Sequence, residues 1–248
     1  MKNLDWIKTG LIAHRGLHTA DKQVPENSPK AFADAIAKGY GIECDINLLK
    51  DGTPIVFHDK NLSRLCGGDS RYLKDLTLAE MKQVRLAGTD QVPMTLKEFL
   101  DFVDGRVPLM IELKPFGPYK PLCEQFWETI KDYKGVWAMQ SFHPWAVLWF
   151  RKNHPEVPRG QISAYFKDDH DMNKVLRFFM KHLLFNLMTR PDFINYCIQD
   201  LPNRYANRSR RHGITVIGFA ARNQQEFDFM REKYDNSVFE FFEPTVRK

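Results

Sequence analysis

Short apolar runs rich in β-branched and aromatic residues recur along the chain, separated by longer stretches with helical apolar spacing, as in Ser28 to Lys38 and Thr95 to Val103. This alternation predicts repeated β/α units. Strands are expected at Leu11 to His14, Gly41 to Leu49, Pro54 to His58, Pro108 to Lys114 and Val136 to Phe142, then at Arg159 to Ser163, Pro191 to Tyr196, Ile214 to Ala220 and Val238 to Phe242. A closed β/α barrel takes eight strands, one fewer than this pattern offers. The surplus has a local source: Gly41 to Asp59 reads as two strands joined across Asp51-Gly52, a dipeptide that favours a tight hairpin turn. The expected fold is α/β, a TIM-type (β/α)8 barrel with an antiparallel β-hairpin around Asp51-Gly52, in a single domain over residues 1–248.

The hairpin carries a register prediction. If Lys50 pairs with Thr53, then Asp45 faces His58, Asn47 faces Val56, Ile46 faces Phe57 and Leu48 faces Ile55. Side chains alternate along a strand, so Glu43, Asp45 and His58 would share one face and leave the other apolar. A helix is expected to begin at Ser28-Pro29, serine capping the free amides and proline filling the first helical position. The apolar and aromatic stretch Lys174 to Met188, with Lys174, Arg177, Lys181 and His182 interspersed, reads as a helix packed on the barrel in preference to one lying on a membrane surface.

The bulk numbers narrow the class. With 248 residues, 43% hydrophobic and 27% charged, the chain can bury a core without staples. Cys44, Cys66, Cys123 and Cys197 are scattered, with neither the spacing of a zinc site nor that of a disulfide framework. The N-terminal ten residues lack the apolar run of a signal peptide, and no stretch approaches the roughly 18 apolar residues of a membrane span. A cytoplasmic location is expected. The net charge is +5 and its 36 Lys and Arg form no tail or stripe, which argues against nucleic-acid binding. A mild positive field suits a small anionic substrate and leaves peripheral contact with an anionic membrane open. Oligomeric state is not legible.

Three stretches place ionisable residues at the ends of strands that should be buried: His14-Arg15-Gly16, Glu43-Cys44-Asp45 followed by His58-Asp59, and Glu112-Leu113-Lys114. In a β/α barrel the C-terminal strand ends form the active-site face. Glu43 and Asp45 project to one side of their strand, and with Glu112 they make an all-oxygen set suited to a divalent cation, Mg2+, Ca2+ or Mn2+ in preference to Zn2+. His14 and His58 are a candidate acid/base pair for phosphodiester chemistry, with the division of labour unassigned. Arg15 offers a planar fork, and Lys114 a point charge, for phosphate oxygens. Asp59 is equally readable as structural or as orienting a catalytic group. His18, His143, His154, His170, His182 and His212 are read as structural.

In order and spacing, His14-Arg15-Gly16, Pro25-Glu26-Asn27-Ser28, Glu43-x-Asp45 and Asp51-Gly52 leading to His58-Asp59 closely resemble the glycerophosphodiester phosphodiesterase family. The likeness continues through Thr77 to Val84, Thr95-Leu96 and Glu112-Leu113-Lys114, and fades in the second half. It implies a β/α barrel, a bound divalent cation, and hydrolysis of glycerophosphodiesters to glycerol 3-phosphate and an alcohol. It makes His14 and His58 the acid/base pair, Glu43, Asp45 and Glu112 the metal ligands, and Arg15 and Lys114 the phosphate contacts. Where the family often carries a Trp-Thr-Val-Asn-like strand end lining the glycerol pocket, this chain has Phe219-Ala220-Ala221-Arg222, so Phe219 is the candidate glycerol-side contact, with a plain core role as the alternative. The usual ending is also altered, to Phe239-Glu240-Phe241-Phe242-Glu243-Pro244. Two alternatives remain: a lysophospholipase D or sphingomyelinase D-like lipid phosphodiesterase, and a non-catalytic barrel that binds a phosphorylated ligand.

Overall fold

The computed structural model describes residues 2–167, 169 and 172–246, which fold as two compact units, one of residues 12–137 and one of residues 1–11 with 138–248. Helix α1 (Asp5–Thr9) precedes β1 (Ile12–Ala13), α2 (Pro29–Ala37), β2 (Gly41–Leu48) and β3 (Pro54–Val56). Helices α3 (Leu78–Met81) and α4 (Leu96–Val103) lead to β4 (Leu109–Leu113) and α5 (Tyr119–Ile130). The chain continues through β5 (Trp137–Ser141), α6 (Pro144–Asn153), β6 (Arg159–Ser163), α7 (Lys174–Lys181), α8 (Asn186–Thr189) and β7 (Phe193–Cys197). It ends with α9 (Arg204–Arg211), β8 (Thr215–Ala221), α10 (Gln224–Lys233) and β9 (Asn236–Phe239). Each strand expected from the apolar pattern is present.

Within residues 12–137, β2 is the organising strand. It runs parallel to β1 through Ile12 and Gly41, parallel to β4 from Ile42 with Leu109 to Ile46 with Leu113, and antiparallel to β3. Ile42, Cys44 and Ile46 alternate with Glu43, Asp45 and Asn47, and all six are buried. A strand buried on both faces is ordinarily apolar throughout, so polar side chains here must be matched by partners.

The hairpin exists, but its register differs by one residue from the expected pairing: Ile46 faces Val56, Asn47 faces Ile55 and Leu48 faces Pro54. The loop holds three residues instead of two. Leu49 N–H donates to Thr53 O (3.0 Å), Gly52 N–H to Leu49 O (3.0 Å), and the Asp51 carboxylate accepts Thr53 N–H (3.1 Å). Gly52 takes φ +83°, the left-handed position that such a three-residue loop requires. Asp45 therefore stands opposite Phe57, whose N–H donates to Asp45 O (2.9 Å), and not opposite His58. Strand alternation does not deliver His58 to the acidic face. The chain leaves the ladder after Val56, and the buried Asn47 amide fixes the departure by donating to Phe57 O (2.7 Å), with His58 O at 3.4 Å and Asp59 O at 3.5 Å.

Serine caps α2 as expected, Ser28 Oγ accepting Ala31 N–H (3.1 Å) with Pro29 in the first turn. Helix α4 begins with a Thr95–Glu98 capping box, and its Phe99 packs on Phe32 of α2 with ring centroids 4.6 Å apart. The long connection from Phe57 to Pro93 has little regular structure. A cluster that includes Leu49, Ile55, Phe57, Leu62, Leu65 and Met81 buries its apolar side chains and ties it to the hairpin.

In the other unit, β5 to β9 pair in parallel with their sequence neighbours, through Met139 with Arg159, Gly160 with Phe193, Phe193 with Thr215 and Ile217 with Asn236. The stretch Lys174 to Met188 departs from expectation. It is two short helices, and of its apolar residues only Met180 and Leu183 are buried, whereas Val175, Phe178, Phe179 and Leu187 are exposed. Helical apolar spacing reports that side chains share a face, not that the face points inward. Among the described residues no helix is long and apolar enough to cross a membrane.

Candidate active site

The end of β1 is shaped by backbone strain. Arg15 and Asn27 both adopt left-handed φ of +54°, costing on the order of 1–3 kcal/mol each, and Asn27 N–H donates to Arg15 O (2.9 Å). Gly16, at φ +78°, lies where a Cβ would come within 2.9 Å of Ala31, so the residue after Arg15 has to be glycine. This bend aims His14 and Arg15 at β2: Arg15 N–H donates to Glu43 Oε2 (3.1 Å), and His14 Nε2 lies 3.9 Å from the same oxygen.

Glu43, Asp45 and Glu112 converge. All three are buried, and each offers a carboxylate oxygen within 4.8 Å of the others. Parallel pairing explains this directly, because Asp45 sits opposite Glu112 in the β2–β4 register and Glu43 lies two residues before it on the same face. Lys114 Nζ donates to Glu112 Oε1 (2.7 Å) and lies 3.3 Å from Asp45 Oδ1. Asn27 Nδ2 donates to Asp45 Oδ2 (2.8 Å), and Arg15 Nε lies 3.4 Å from that oxygen.

His58 follows the bend after β3, close enough for positive charge on its ring to lower the Asp45, Glu112 and Glu26 carboxyls. Its Nδ1 lies 2.6 Å from Asp59 Oδ1. Asp59 Oδ2 accepts Arg64 Nε (2.7 Å), and Arg64 grips both oxygens of the buried Glu26 at 2.6 and 2.7 Å. Arg15 Nη1 donates to the same Glu26 (2.8 Å), so one chain of ion pairs runs from His58 to Arg15. Sequence reasoning did not assign Glu26, Asn27, Asp59 or Arg64. The Pro25-Glu26-Asn27-Ser28 run was a visible signal for the first two and adjacency to His58 for the third; nothing local marked Arg64.

The electrostatics separate the carboxylates. Burial raises the Glu43 carboxyl well above the usual carboxylate range, and the charges of Asp45 and Glu112 push it further. Burial and Asp45 also raise Glu112, against the pull of Lys114. For Asp45, burial is outweighed by Lys114, His58, Arg15 and His14, and the carboxyl is held far below its ordinary value. Asp59 is lowered to about 2, its burial offset by the hydrogen bonds from His58 and Arg64. Three facing carboxylates, two of them disfavouring charge, fit a divalent cation: an ion would relieve the repulsion between these hard oxygen donors.

Phe219 lies in β8, half-buried, with its ring edge-on to Phe142 at 5.7 Å. Arg222, in the place where the family pattern has asparagine, donates to Glu240 Oε1 (2.8 Å). Among the histidines read as structural, His154 packs on Trp149 and His182 Nδ1 lies 2.6 Å from Phe178 O. His170 lies outside the described residues.

Parallel β/α units whose strand ends gather carboxylates, imidazoles and fixed cations suit acid/base work on an anionic ester, the class of barrel phosphodiesterases. The chain belongs to the glycerophosphoryl diester phosphodiesterase family, which matches residues 14–238, and so falls among the phosphoric diester hydrolases. It is 36% identical over 169 residues to a glycerophosphodiester phosphodiesterase of Caldanaerobacter subterraneus subsp. tengcongensis, covering 63% of this chain and 67% of that one. It is 32% identical over 168 residues to a glycerophosphodiester phosphodiesterase of Bacillus altitudinis, covering 62% and 66%. The matched segment thus spans about two thirds of these relatives. Among solved structures, a phosphodiesterase of Oleispira antarctica in complex with its product sn-glycerol-3-phosphate superposes with a TM-score of 0.77 at 23% identity, covering 95% of this chain and 94% of that one. A glycerophosphodiester phosphodiesterase of Thermotoga maritima gives 0.69 at 24% identity, covering 92% and 93%. These likenesses show the fold to be the TIM-type (β/α)8 barrel expected from the strand pattern.

Proposed function

We propose that the protein hydrolyses glycerophosphodiesters to glycerol 3-phosphate and an alcohol, with Glu43, Asp45 and Glu112 holding a divalent cation and His14 and His58 moving the protons. The convergence of three buried carboxylates, with His14 beside Glu43 and with Arg15 and Lys114 packed among them, carries this reading. A bound Mg2+, Ca2+ or Mn2+ would supply Lewis-acid stabilisation of charge on the phosphoryl oxygens. The fork of Arg15 and the ammonium of Lys114 add fixed positive charge where that charge grows. One imidazole takes the proton of the attacking oxygen, from water or a neighbouring glycerol hydroxyl, while the other gives its proton to the departing alkoxide as the P–O bond breaks. Asp59, on Nδ1 of His58, fixes that ring and leaves Nε2 as the atom that exchanges the proton.

The product-bound Oleispira antarctica phosphodiesterase supports glycerol 3-phosphate as the product class. For Phe219 the proposal rests on the family pattern, its ring offering an apolar face to the glycerol carbons. We further propose that residues 1–248 form one domain and that the protein works in the cytoplasm, a reading supported by its four free thiols. The test is a product analysis with glycerophosphocholine, glycerophosphoethanolamine and lysophosphatidylcholine, each with chelator and with Mg2+, Ca2+ or Mn2+ restored. Release of glycerol 3-phosphate from the first two that follows the cation is expected. Faster turnover of the lysolipid would move the assignment to a lipid phosphodiesterase, and no product from any diester would leave a binding barrel.

A further inference from the structure

The segment 174–189, which holds α7 and α8, gathers six exposed large apolar side chains: Val175, Leu176, Phe178, Phe179, Leu184 and Leu187. Leu187 is 82% exposed, Val175 65% and Phe178 52%. Val175, Phe178 and Phe179 stand at i, i+3 and i+4 and so share one face of α7. They belong to a connected patch: Phe178 packs on Phe179 (6.1 Å between ring centroids), Phe179 on Phe185 (5.5 Å), and Phe185 on the half-exposed Trp145 of α6 (6.2 Å). Contiguous exposed apolar surface of this kind marks a contact site for another phase or molecule.

The charge around the patch indicates which. Lys174, Arg177 and Lys181, at i, i+3 and i+7, form a stripe beside the apolar face. At the far end of α7, His182 packs on Tyr205 of α9 at 4.3 Å, and α9 adds the exposed Arg204, Arg208 and Arg211. Met172 to Pro191 contains no Asp or Glu, and neither does Leu201 to Thr215. Asp168, Asp169 and Asp171 all precede the helix; the Asp169 carboxylate accepts Met172 N–H (3.0 Å) and its carbonyl accepts Arg177. An apolar, aromatic face bordered by long cationic side chains, with the acids outside it, is the pattern of a helix lying in the interface of an anionic bilayer. The rings enter the acyl boundary and the cations meet the lipid phosphates.

We propose that α7 and α8, with Trp145, form a docking surface for anionic lipid bilayers, independent of the chemistry assigned above. The face is then a peripheral anchor that brings the protein to a membrane without spanning it.

The test uses the full chain in co-sedimentation with vesicles of phosphatidylcholine alone and of phosphatidylcholine with about 30% phosphatidylglycerol, near the anionic content at which polybasic surfaces bind. Binding to the anionic vesicles, weak binding to the neutral ones and release by high salt are expected. Phe178→Ser with Leu187→Ser should lower partitioning by roughly 10-fold or more at unchanged charge. Lys174→Glu with Arg208→Glu should lower it by roughly 10-fold at unchanged apolar surface. Both pairs should keep the melting temperature and the turnover of soluble glycerophosphocholine, which separates loss of docking from loss of fold. No binding by the unmodified protein, or binding indifferent to the apolar pair, would overturn the proposal. So would a stable dimer that Phe178→Ser with Leu187→Ser dissociates, which would assign the face to a second copy.

Discussion

The two units of the chain solve the same problem, polar side chains inside a parallel sheet, in opposite ways. In residues 12–137 the buried polar positions carry charge: Glu43, Asp45 and Glu112 face one another, with Arg15 and Lys114 among them. Among the described residues of 138–248 they are mostly neutral amides and hydroxyls, with Arg159 of β6 and Glu240 just after β9 the charged exceptions. Asn195 Nδ2 donates to Gln140 Oε1 (3.0 Å), Gln161 Nε2 to Ser141 O (3.1 Å), and Ser237 Oγ to Gly218 O (2.9 Å). Neutral amides such as those of Asn195 and Gln161 donate within the sheet, whereas like charges crowded in a low dielectric gain stability only if something else arrives. The first arrangement is one that a bound cation would stabilise; the second is held by hydrogen bonds between uncharged groups.

The sharpest way to break this contrast is to remove an imidazole. His14→Ala or His58→Ala should lower turnover by about 10²–10⁴-fold with the melting temperature kept, and near-normal rates in either would dissolve the assignment. Next, Glu43→Gln should cost at least ~100-fold in activity yet leave the metal-free protein as stable or more so, because burial and the neighbouring carboxylates already disfavour the charge that the neutral isostere removes. A marked fall in chelator-treated stability would mean that Glu43 is structural. The second unit should behave in reverse. Asn195→Ala, which strips Gln140 of its donor, should destabilise by about 1–3 kcal/mol in denaturant titration while kcat stays put.

Smaller effects refine the border between site and support. Asp59→Asn should reduce kcat by roughly 10-fold, equivalent to about 1.4 kcal/mol, and displace the pH–rate profile, since it changes how His58 is held. An unchanged profile would leave Asp59 a purely structural partner of Arg64. The least effect is on acid stability. Asp59 has its carboxyl lowered from 3.8 to about 2, so its contribution is fully present above 3.8 and lost as pH falls through about 2. Because the group is partly exposed, screening holds that contribution below ~1 kcal/mol, to be read as the difference in acid unfolding between the protein and Asp59→Asn.

What was legible in the sequence follows the same division. His14-Arg15, Glu43-x-Asp45 and Glu112-x-Lys114 stood out because ionisable residues at the ends of buried strands violate the apolar rule, and parallel pairing then brings Asp45 and Glu112 together. The hairpin register was not legible. Asp51-Gly52 announces a turn but not its length, and the Asp51 carboxylate bonding to Thr53 N–H closes a three-residue loop in which the pairing slips by one. The course of the chain into His58 is held by the Asn47 amide, a contact between residues ten or more apart that no local pattern encodes. The Glu26–Arg64 pair, 38 residues apart, is hidden for the same reason. The outward turn of α7 was misread because an apolar stripe looks the same from the sequence whichever side it faces.

The central claim is that the three carboxylates are a cation site. Calorimetric titration of Mn2+ into chelator-stripped protein, compared with Asp45→Asn, tests it most directly. One equivalent bound by the protein and none by the variant is the expected result; no binding heat in the protein, or equal binding in both, would contradict the account.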